Sequence, residues 1–330
     1  MLIYVHIPFC EHKCPYCDFN SHVRKEPEWG RYLAALTAEL RWRLQQPQWR
    51  GRCATTLYFG GGTPSLAPVY LIAQVLDILR EYNALSSGAE ISLEANPGSI
   101  NEGKLAGWRA AGVNRLSIGV QSVDEAQLRW LERIHSADQG VAAVELALDS
   151  GWDSVGVDMI YGLPHQSLAQ WQQQLTTMMA LQPAHLSCYQ LTVEEGTPLA
   201  LRHATTPYRL PGEELAAELL LWTRQQLVQG GWHAYEISNY ARVGKLCRHN
   251  DGYWRYDDYL AVGAGACGKV DCVDGGVIRY SNRRHPEGYM AQVERGEDPA
   301  AEVEYRSSRE AAAEAVWLAL RRTDGVILSG

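Results

Sequence analysis

"LIYVHIPFCEHKCPYC", residues 2–17, runs from a short apolar segment rich in β-branched residues into three cysteines spaced C-x-x-x-C-x-x-C. The first half reads as a buried strand that stops at Pro8 and Phe9. The second half is a loop carrying Cys10, Cys14 and Cys17, with no fourth cysteine in reach. A closed structural metal site wants four ligands. Three thiols therefore leave one coordination position open or take their last ligand from elsewhere in the fold.

Outward from that stretch, five more runs have the same character: TTLYFGGG, EISLEANP, RLSIGVQS, SVGVDMIYG and HLSCYQLTV. Segments with helical spacing of apolar residues lie between them, among them RYLAALTAELRWRL, YLIAQVLDILREY and QGVAAVELALDSGW. Ser99-x-x-Glu102, Ser122-x-x-Glu125, Ser136-x-x-Gln139 and Ser167-x-x-Gln170 fit the capping box, and Gly112, Gly151 and Gly231 mark helix exits. Strand and helix alternate to about residue 200, which predicts consecutive βα units around a parallel sheet. Each strand ends in a polar or glycine cluster. In a barrel those ends converge on one mouth, whereas in a doubly wound sheet most point away from a single site. The expectation is an α/β fold, an incomplete (β/α)6 parallel barrel, with a smaller C-terminal α+β region. Three parts follow: a barrel with its cysteine loop over 1–205, an extension over 206–290, and the start of a helical domain over 291–330. The last part ends on "DGVILSG" just as another apolar element begins, which suggests truncation.

The chain has 330 residues, 46% of them hydrophobic and 21% charged, with a formal net charge of −8. That balance argues against a nucleic-acid partner, which usually meets a basic excess. No apolar run reaches the roughly 18 residues of a membrane span, and no signal-peptide layout opens the chain. Eight cysteines in an unexported chain of this size read as reduced thiols in the cytoplasm, not as a disulfide framework.

The cysteines admit two readings. A zinc knuckle would add a histidine such as His6, His12 or His22, but zinc sites more often use paired C-x-x-C segments, and no second pair is present. An iron–sulfur cluster is held by thiolates, normally four, and with three one iron keeps an open position. The spacing favours the cluster. Further groups fall at or near the other strand ends: Gly60 to Ser65 as "GGGTPS", Glu94, Gln121, Asp158, and Tyr189 with Gln190. An acid inside an apolar run, as Asp158 is, costs much to bury without a partner. Singly each also fits a satisfied cap or internal hydrogen bond.

C-x-x-x-C-x-x-C in the loop after the first strand of a βα barrel, with Tyr16 and Phe19 beside it, resembles the radical S-adenosylmethionine (radical SAM) superfamily. The resemblance implies a 4Fe–4S cluster on Cys10, Cys14 and Cys17. Its fourth iron would chelate the amino and carboxylate groups of S-adenosyl-L-methionine, and reductive cleavage would give a 5′-deoxyadenosyl radical. The longer matches YVHIPFCEHKCPYCDF, GGGTPSL, EANPG, GVNRLSIGVQS, DMIYGLP, YQLTVEEGTP, YEISNYA and HNDGYW resemble the oxygen-independent coproporphyrinogen III oxidase-like family over about residues 2–290. Carried over, Tyr4, Gly61, Gly62, Thr63, Glu94, Gln121, Arg133 and Asp158 would bind S-adenosylmethionine. Arg133 suits its carboxylate in the bidentate manner of guanidinium.

That family contains a decarboxylating oxidase and haem chaperones. The oxidase carries another cysteine two residues after the third, and a long N-terminal arm. Here the position is Phe19, and nine residues precede Cys10. The chaperone members lack both features and contain H-N-x-x-Y-W, seen here from His249 to Trp254. The resemblance therefore implies a haem chaperone that delivers haem to target proteins such as respiratory enzymes, with peripheral contact at the membrane surface. The alternatives are the oxidase, converting propionates to vinyls, and a zinc-stabilised binding protein without redox chemistry. Read from the residues alone, His249 could supply an axial nitrogen while Tyr253 and Trp254 offer flat faces to a porphyrin. The same residues also fit a turn with a satisfied histidine and two core aromatics. Cys247 is another candidate iron ligand, and Cys267 stands where some relatives have histidine.

Overall fold

A computed structural model describes residues 1–152 and 154–326. Six parallel strands pair side by side in chain order: β1 (Leu2–Ile7), β2 (Ala54–Gly61), β3 (Leu85–Ala95), β4 (Arg115–Gln121), β5 (Val155–Tyr161) and β6 (His185–Gln190). Helices cross between them, beginning with α1 (Trp29–Gln45), α2 (Val69–Glu81) and α3 (Glu102–Ala111). This is the incomplete barrel. Its sheet does not close on itself among the described residues, because further strands extend both edges to a total of twelve.

Alternation along the strands builds the inside and the outside. Ile3, Val5 and Ile7, Leu57 and Phe59, Leu116 and Ile118, and Val155, Val157 and Met159 are buried in the hydrophobic core with the helices. The intervening residues, such as Tyr4, Tyr58, Ser117, Asp158 and Ser187, line a lumen instead. A strand's period of two makes this division unavoidable. α1 contributes Tyr32, Leu33, Leu36, Leu40 and Leu44 to the helical layer, an apolar stripe at i, i+4 spacing.

Helix starts at Ser136 and Ser167 are full capping boxes. The other two expected boxes are not. Asn101 caps α3 by accepting from Lys104 N–H, and Ser99 lies in a 3₁₀ turn, hydrogen-bonded to Ser65. Asp124 caps the helix Glu125–Trp130, and Ser122 donates to Gln174. In both places an Asx side chain stood two residues nearer the first turn and took the cap.

The C-terminal part continues the same sheet. A strand at Tyr259–Val262 pairs parallel to β1, followed by antiparallel strands at Cys267–Asp271, Val277–Asn282 and Ala300–Arg306. On the other side Asn239–Ala241 runs antiparallel to β6, with His233–Ala234 as the edge strand beyond it. Glu39 of α1, fully buried, accepts from Arg43 Nε (2.6 Å), Tyr289 Oη (2.7 Å), Asn282 Nδ2 (2.8 Å) and Gly263 N (2.9 Å). Removing one side of such a buried network costs about 3–5 kcal/mol, so the extension is fastened firmly to α1. The helix Ser308–Ala319 ends the described elements; residues 327–330, within the apolar segment read from "DGVILSG", lie outside the described residues.

Candidate cofactor cavity at the strand ends

A cavity of about 600 Å³ opens at the C-terminal ends of β1–β6 and runs down the lumen. Cys10, Cys14 and Cys17 form part of its wall. A short ribbon pairs Phe9–Cys10 with His22–Val23, which pins both ends of the cysteine loop, and Cys17 N–H donates to Cys14 O (3.1 Å) inside it. Two sulfurs already receive hydrogen bonds, Cys10 Sγ from the Thr63 hydroxyl (3.2 Å) and Cys14 Sγ from Arg133 Nη1 (3.5 Å). Burial holds the Cys10 and Cys17 thiols above their ordinary pKa, so metal binding there releases protons.

The donor set fits iron–sulfur ligation. Soft thiols face one space, and hydrogen-bond donors already point at two of them. Gly62 leaves no slack: a Cβ there would stand 3.0 Å from Cys10 Sγ and 2.8 Å from Phe9 O. Each histidine that the zinc reading would use has a ring nitrogen already engaged. His6 Nε2 is bonded to Asn20 O (2.8 Å), His22 Nε2 to Arg284 O (3.2 Å), and His12 pairs with Glu132 (3.5 Å). Among the described residues no three His, Cys, Asp or Glu side chains close on a point as a single ion requires.

Beside the cysteines lies an unusual set of charges. Glu94 accepts from Tyr58 Oη (3.0 Å) and Gly61 N–H (3.1 Å), yet burial pushes its carboxyl up to about 7. Burial also raises Asp158, which accepts from the Ser117 hydroxyl at 3.0 Å. Arg133 donates through Nη2 to Gly119 O (2.8 Å) and Asn96 Oδ1 (2.9 Å), while its buried Nε–H has no partner among the described residues. Two acids and a guanidinium thus line one cavity without neutralising each other directly. Such a wall suits a ligand carrying both charge signs.

Tyr4 completes this side. His6 is neutral, lowered to about 4 by burial, and its Nε2–H donates to Asn20 O. Its Nδ1 therefore accepts from Tyr4 Oη (3.1 Å), which leaves the phenol oxygen's lone pairs free. Gly61 sits at φ +117°, where a Cβ would meet the His6 ring at 2.6 Å, so only glycine fits. Gln121, with φ +67°, ends β4 at the rim.

Every S-adenosylmethionine candidate read from the sequence lines this cavity: Tyr4, Gly61, Gly62, Thr63, Glu94, Gln121, Arg133 and Asp158. His249 and Tyr253 line it too. Trp254 does not; its ring lies under Arg321, with the guanidinium 4.7 Å from the ring centre. The H-N-x-x-Y-W stretch is a short helix, Arg248–Trp254, not a turn. His249 is buried and already satisfied, its Nδ1 bonded to Thr56 Oγ1 (2.7 Å) and its Nε2 to Tyr253 Oη (3.0 Å). Cys247 lies at the inner wall with its thiol raised to about 12 by burial, and Cys267 is exposed beside Ser281, outside the cavity. Tyr58, Asn96, Arg115, Ser117 and His185 also line the lumen. Reading each strand as alternating, instead of as a continuous apolar run, would have named all but Asn96.

Residues 4–175 match the model of the Radical SAM superfamily. "Heme chaperone HemW" of Haemophilus influenzae is 40% identical over 292 residues, 87% of this chain and 75% of that protein. The chain belongs to the radical SAM superfamily, in the HemW family. The HemW of Escherichia coli K12 is 41% identical over 289 residues, again 87% and 75% of the two chains. Among solved structures, "Coproporphyrinogen III oxidase (HemN) from Escherichia coli" superimposes with a TM-score of 0.79 at 26% identity, covering 95% of this chain and 74% of that one. Radical SAM membership implies a 4Fe–4S cluster and S-adenosylmethionine as cofactors. No helix among the described residues is long and apolar enough to cross a membrane.

Proposed function

We propose that this HemW-family protein is a haem chaperone: it binds haem and delivers it to acceptor proteins. In this reading the core over 1–205 carries a 4Fe–4S cluster on Cys10, Cys14 and Cys17, and binds S-adenosylmethionine beside it. The extension over 206–290 carries the haem-linked H-N-x-x-Y-W stretch, and 291–330 opens a further helical part. The observation that carries the reading is the meeting of three thiols, two buried acids and a half-satisfied guanidinium in one cavity, in a chain 40% identical to a protein named Heme chaperone HemW.

The cluster, when bound, supplies one-electron chemistry. The protein's own residues do the rest. Thr63 donates to Cys10 Sγ, which favours its thiolate, and Arg133 donates to Cys14 Sγ. Glu94 and Asp158 offer buried carboxylates to cationic or hydroxyl groups, and the unused Nε–H of Arg133 is a donor for a carboxylate. Tyr4 presents an oriented oxygen, Gly61 and Gly62 allow close backbone approach, and Gln121 closes the rim. Haem passes to acceptors such as respiratory enzymes, from a cytoplasmic protein that touches the membrane surface only peripherally.

The likeness to HemN over 95% of the chain favours a second reading, oxidation of coproporphyrinogen III. Phe19, standing where the oxidases carry their further cysteine, speaks against it. Anaerobic reconstitution with iron and sulfide, followed by haem titration and a coproporphyrinogen III assay, separates the readings. The chaperone reading expects a cluster, saturable haem binding and no vinyl product. Porphyrinogen turnover would establish the oxidase instead, and stoichiometric zinc without a cluster would reject both.

A further inference from the structure

The extension makes a tight turn at residues 263–265, with Gly263 at φ +107° and Gly265 at φ +77°. Space and backbone both demand glycine there. A Cβ on Gly263 would stand 2.5 Å from His6 O and 2.8 Å from Tyr32 Oη, and one on Gly265 would run into the Asn20 side chain. That side chain fastens the turn to the cysteine loop. Asn20 Nδ2 donates to Ala264 O (2.9 Å) and to Arg284 O (2.9 Å), so both amide protons are spent on carbonyls of the extension. The main-chain carbonyl of Asn20 serves another partner, accepting from His6 Nε2 (2.8 Å). His6 is tied to the same turn through its own carbonyl. That oxygen accepts from Tyr32 Oη (2.7 Å), which accepts in turn from Ala264 N–H (3.1 Å).

A carbonyl can only accept, so the bond to Asn20 O places a proton on His6 Nε2. Burial keeps the ring neutral, with its pKa lowered to about 4. Nδ1 therefore carries a lone pair, and Tyr4 Oη, 3.1 Å away, donates to it. What Tyr4 offers the cavity it lines is then an oxygen with free lone pairs. The other neutral tautomer would reverse this. Its Nδ1–H would donate to the phenol oxygen, and the Tyr4 proton would turn toward the cavity as a donor. The first arrangement suits an ammonium or hydroxyl group; the second sets proton against proton. Neither His6 nor Asn20 lines the cavity.

We propose that Asn20 is a positioning residue of the cofactor cavity: anchored by the extension's turn, its main-chain carbonyl fixes the His6 tautomer, which makes Tyr4 a hydrogen-bond acceptor and selects a cationic group beside it. This rests on the reading that S-adenosylmethionine, whose ammonium is that group, binds there. The cysteine loop does not need the Asn20 amide for its own shape. The ribbon of Phe9–Cys10 with His22–Val23 closes it, and Lys13 Nζ holds Phe19 O (3.2 Å). Cluster retention and control of Tyr4 are therefore separable.

The test uses Asn20→Asp, which keeps the side chain's size but sets a second oxygen against the carbonyls of Ala264 and Arg284. Two measurements are made on the full chain. The His6 tautomer is read before reconstitution by NMR of nitrogen-15-labelled histidine, its signal assigned by its loss in His6→Gln. Affinity for S-adenosylmethionine is read by calorimetry after anaerobic reconstitution with iron and sulfide. The wild type should carry its proton on Nε2. Asn20→Asp should show mixed tautomers and bind roughly tenfold more weakly at unchanged iron per chain. Gly265→Ala, which forces Asn20 aside from the far end of the chain, should do the same. Tyr4→Phe, which removes the acceptor and leaves the loop untouched, should weaken binding as much. A wild-type proton on Nδ1 would overturn the proposal, and that measurement needs no variant to fold. So would wild-type affinity in Tyr4→Phe or Asn20→Asp, or an affinity in Asn20→Asp that falls only as far as its iron content. A wild-type chain that holds the cluster yet binds no S-adenosylmethionine would instead overturn the cofactor reading, whatever the tautomer.

Discussion

Glu94→Gln tests whether the cavity wall stores an electrostatic cost that a cationic ligand relieves. Glu94 is held at about 7 against an ordinary 4.5. The folded state therefore keeps a proton that the unfolded chain has lost between those two values. Stability should fall as pH rises through this window: below about pH 4.5 the group costs nothing, and above about pH 7 it costs its full amount. At about 1.4 kcal/mol per pH unit, that amount is roughly 3 kcal/mol. Glutamine removes the charge but gives up one of the two acceptor oxygens now serving Tyr58 and Gly61, a loss of about 1 kcal/mol. The apo-protein with Glu94→Gln should thus be more stable than wild type by about 2 kcal/mol at pH 8, and slightly less stable at pH 5. Urea unfolding at the two pH values measures the difference. Asp158, also raised by burial, leaves a residual slope of the same sign. S-adenosylmethionine, being cationic, should drive the wild-type proton off, so calorimetry at pH 6.5 in buffers of different ionisation enthalpy should show proton release that the variant lacks. An unchanged pH slope in Glu94→Gln would refute the reasoning.

Gly62→Ala should lose most cluster occupancy on reconstitution, because its methyl meets the backbone of Pro8 and Phe9 at 2.8–2.9 Å and must push the Cys10 strand by roughly half an ångström, at the tolerance of a metal site; iron per chain equal to wild type would contradict this. Arg133→Lys should keep the cluster but weaken S-adenosylmethionine binding by roughly tenfold, since a point charge cannot serve Asn96, Gly119 and Cys14 and still hold a carboxylate; calorimetric affinity decides. Ser167→Ala removes the hydroxyl half of a capping box, leaving the Gln170 side chain on the backbone N–H of residue 167, and should cost about 1 kcal/mol in urea unfolding, with no change in cofactor binding.

The βα rhythm was legible because each strand is a short β-branched run and each crossing helix keeps its apolar stripe. Two of the four expected capping boxes were misread for one reason. S-x-x-E occurs by chance wherever serine and glutamate are common, and the spacing cannot say whether an Asn101 or Asp124 nearer the first turn competes. Nor could the linear order show that Tyr259–Val262 would lie against β1. That pairing is fastened by the buried Glu39 network, whose partners Gly263, Asn282 and Tyr289 stand more than 200 residues away.

The site was legible where the chain marks it locally, in the cysteine loop and in GGGTP, and much less so inside the barrel. Tyr58, Ser117 and His185 are inward residues of strands whose buried outward residues are apolar. Counted together they look like isolated polar interruptions. Counted by alternate positions they form a polar lumen, which explains why this barrel holds a cavity where closed barrels pack layers of branched side chains. His249 shows the opposite limit. Its sequence context suggested a ligand to iron or a satisfied core histidine, and the geometry has it satisfied on both nitrogens while it lines the cavity beside Tyr253. Both nitrogens being engaged, ligation of iron by His249 would first have to break its bond to Thr56 or to Tyr253, a cost that no spacing of residues in the chain could reveal.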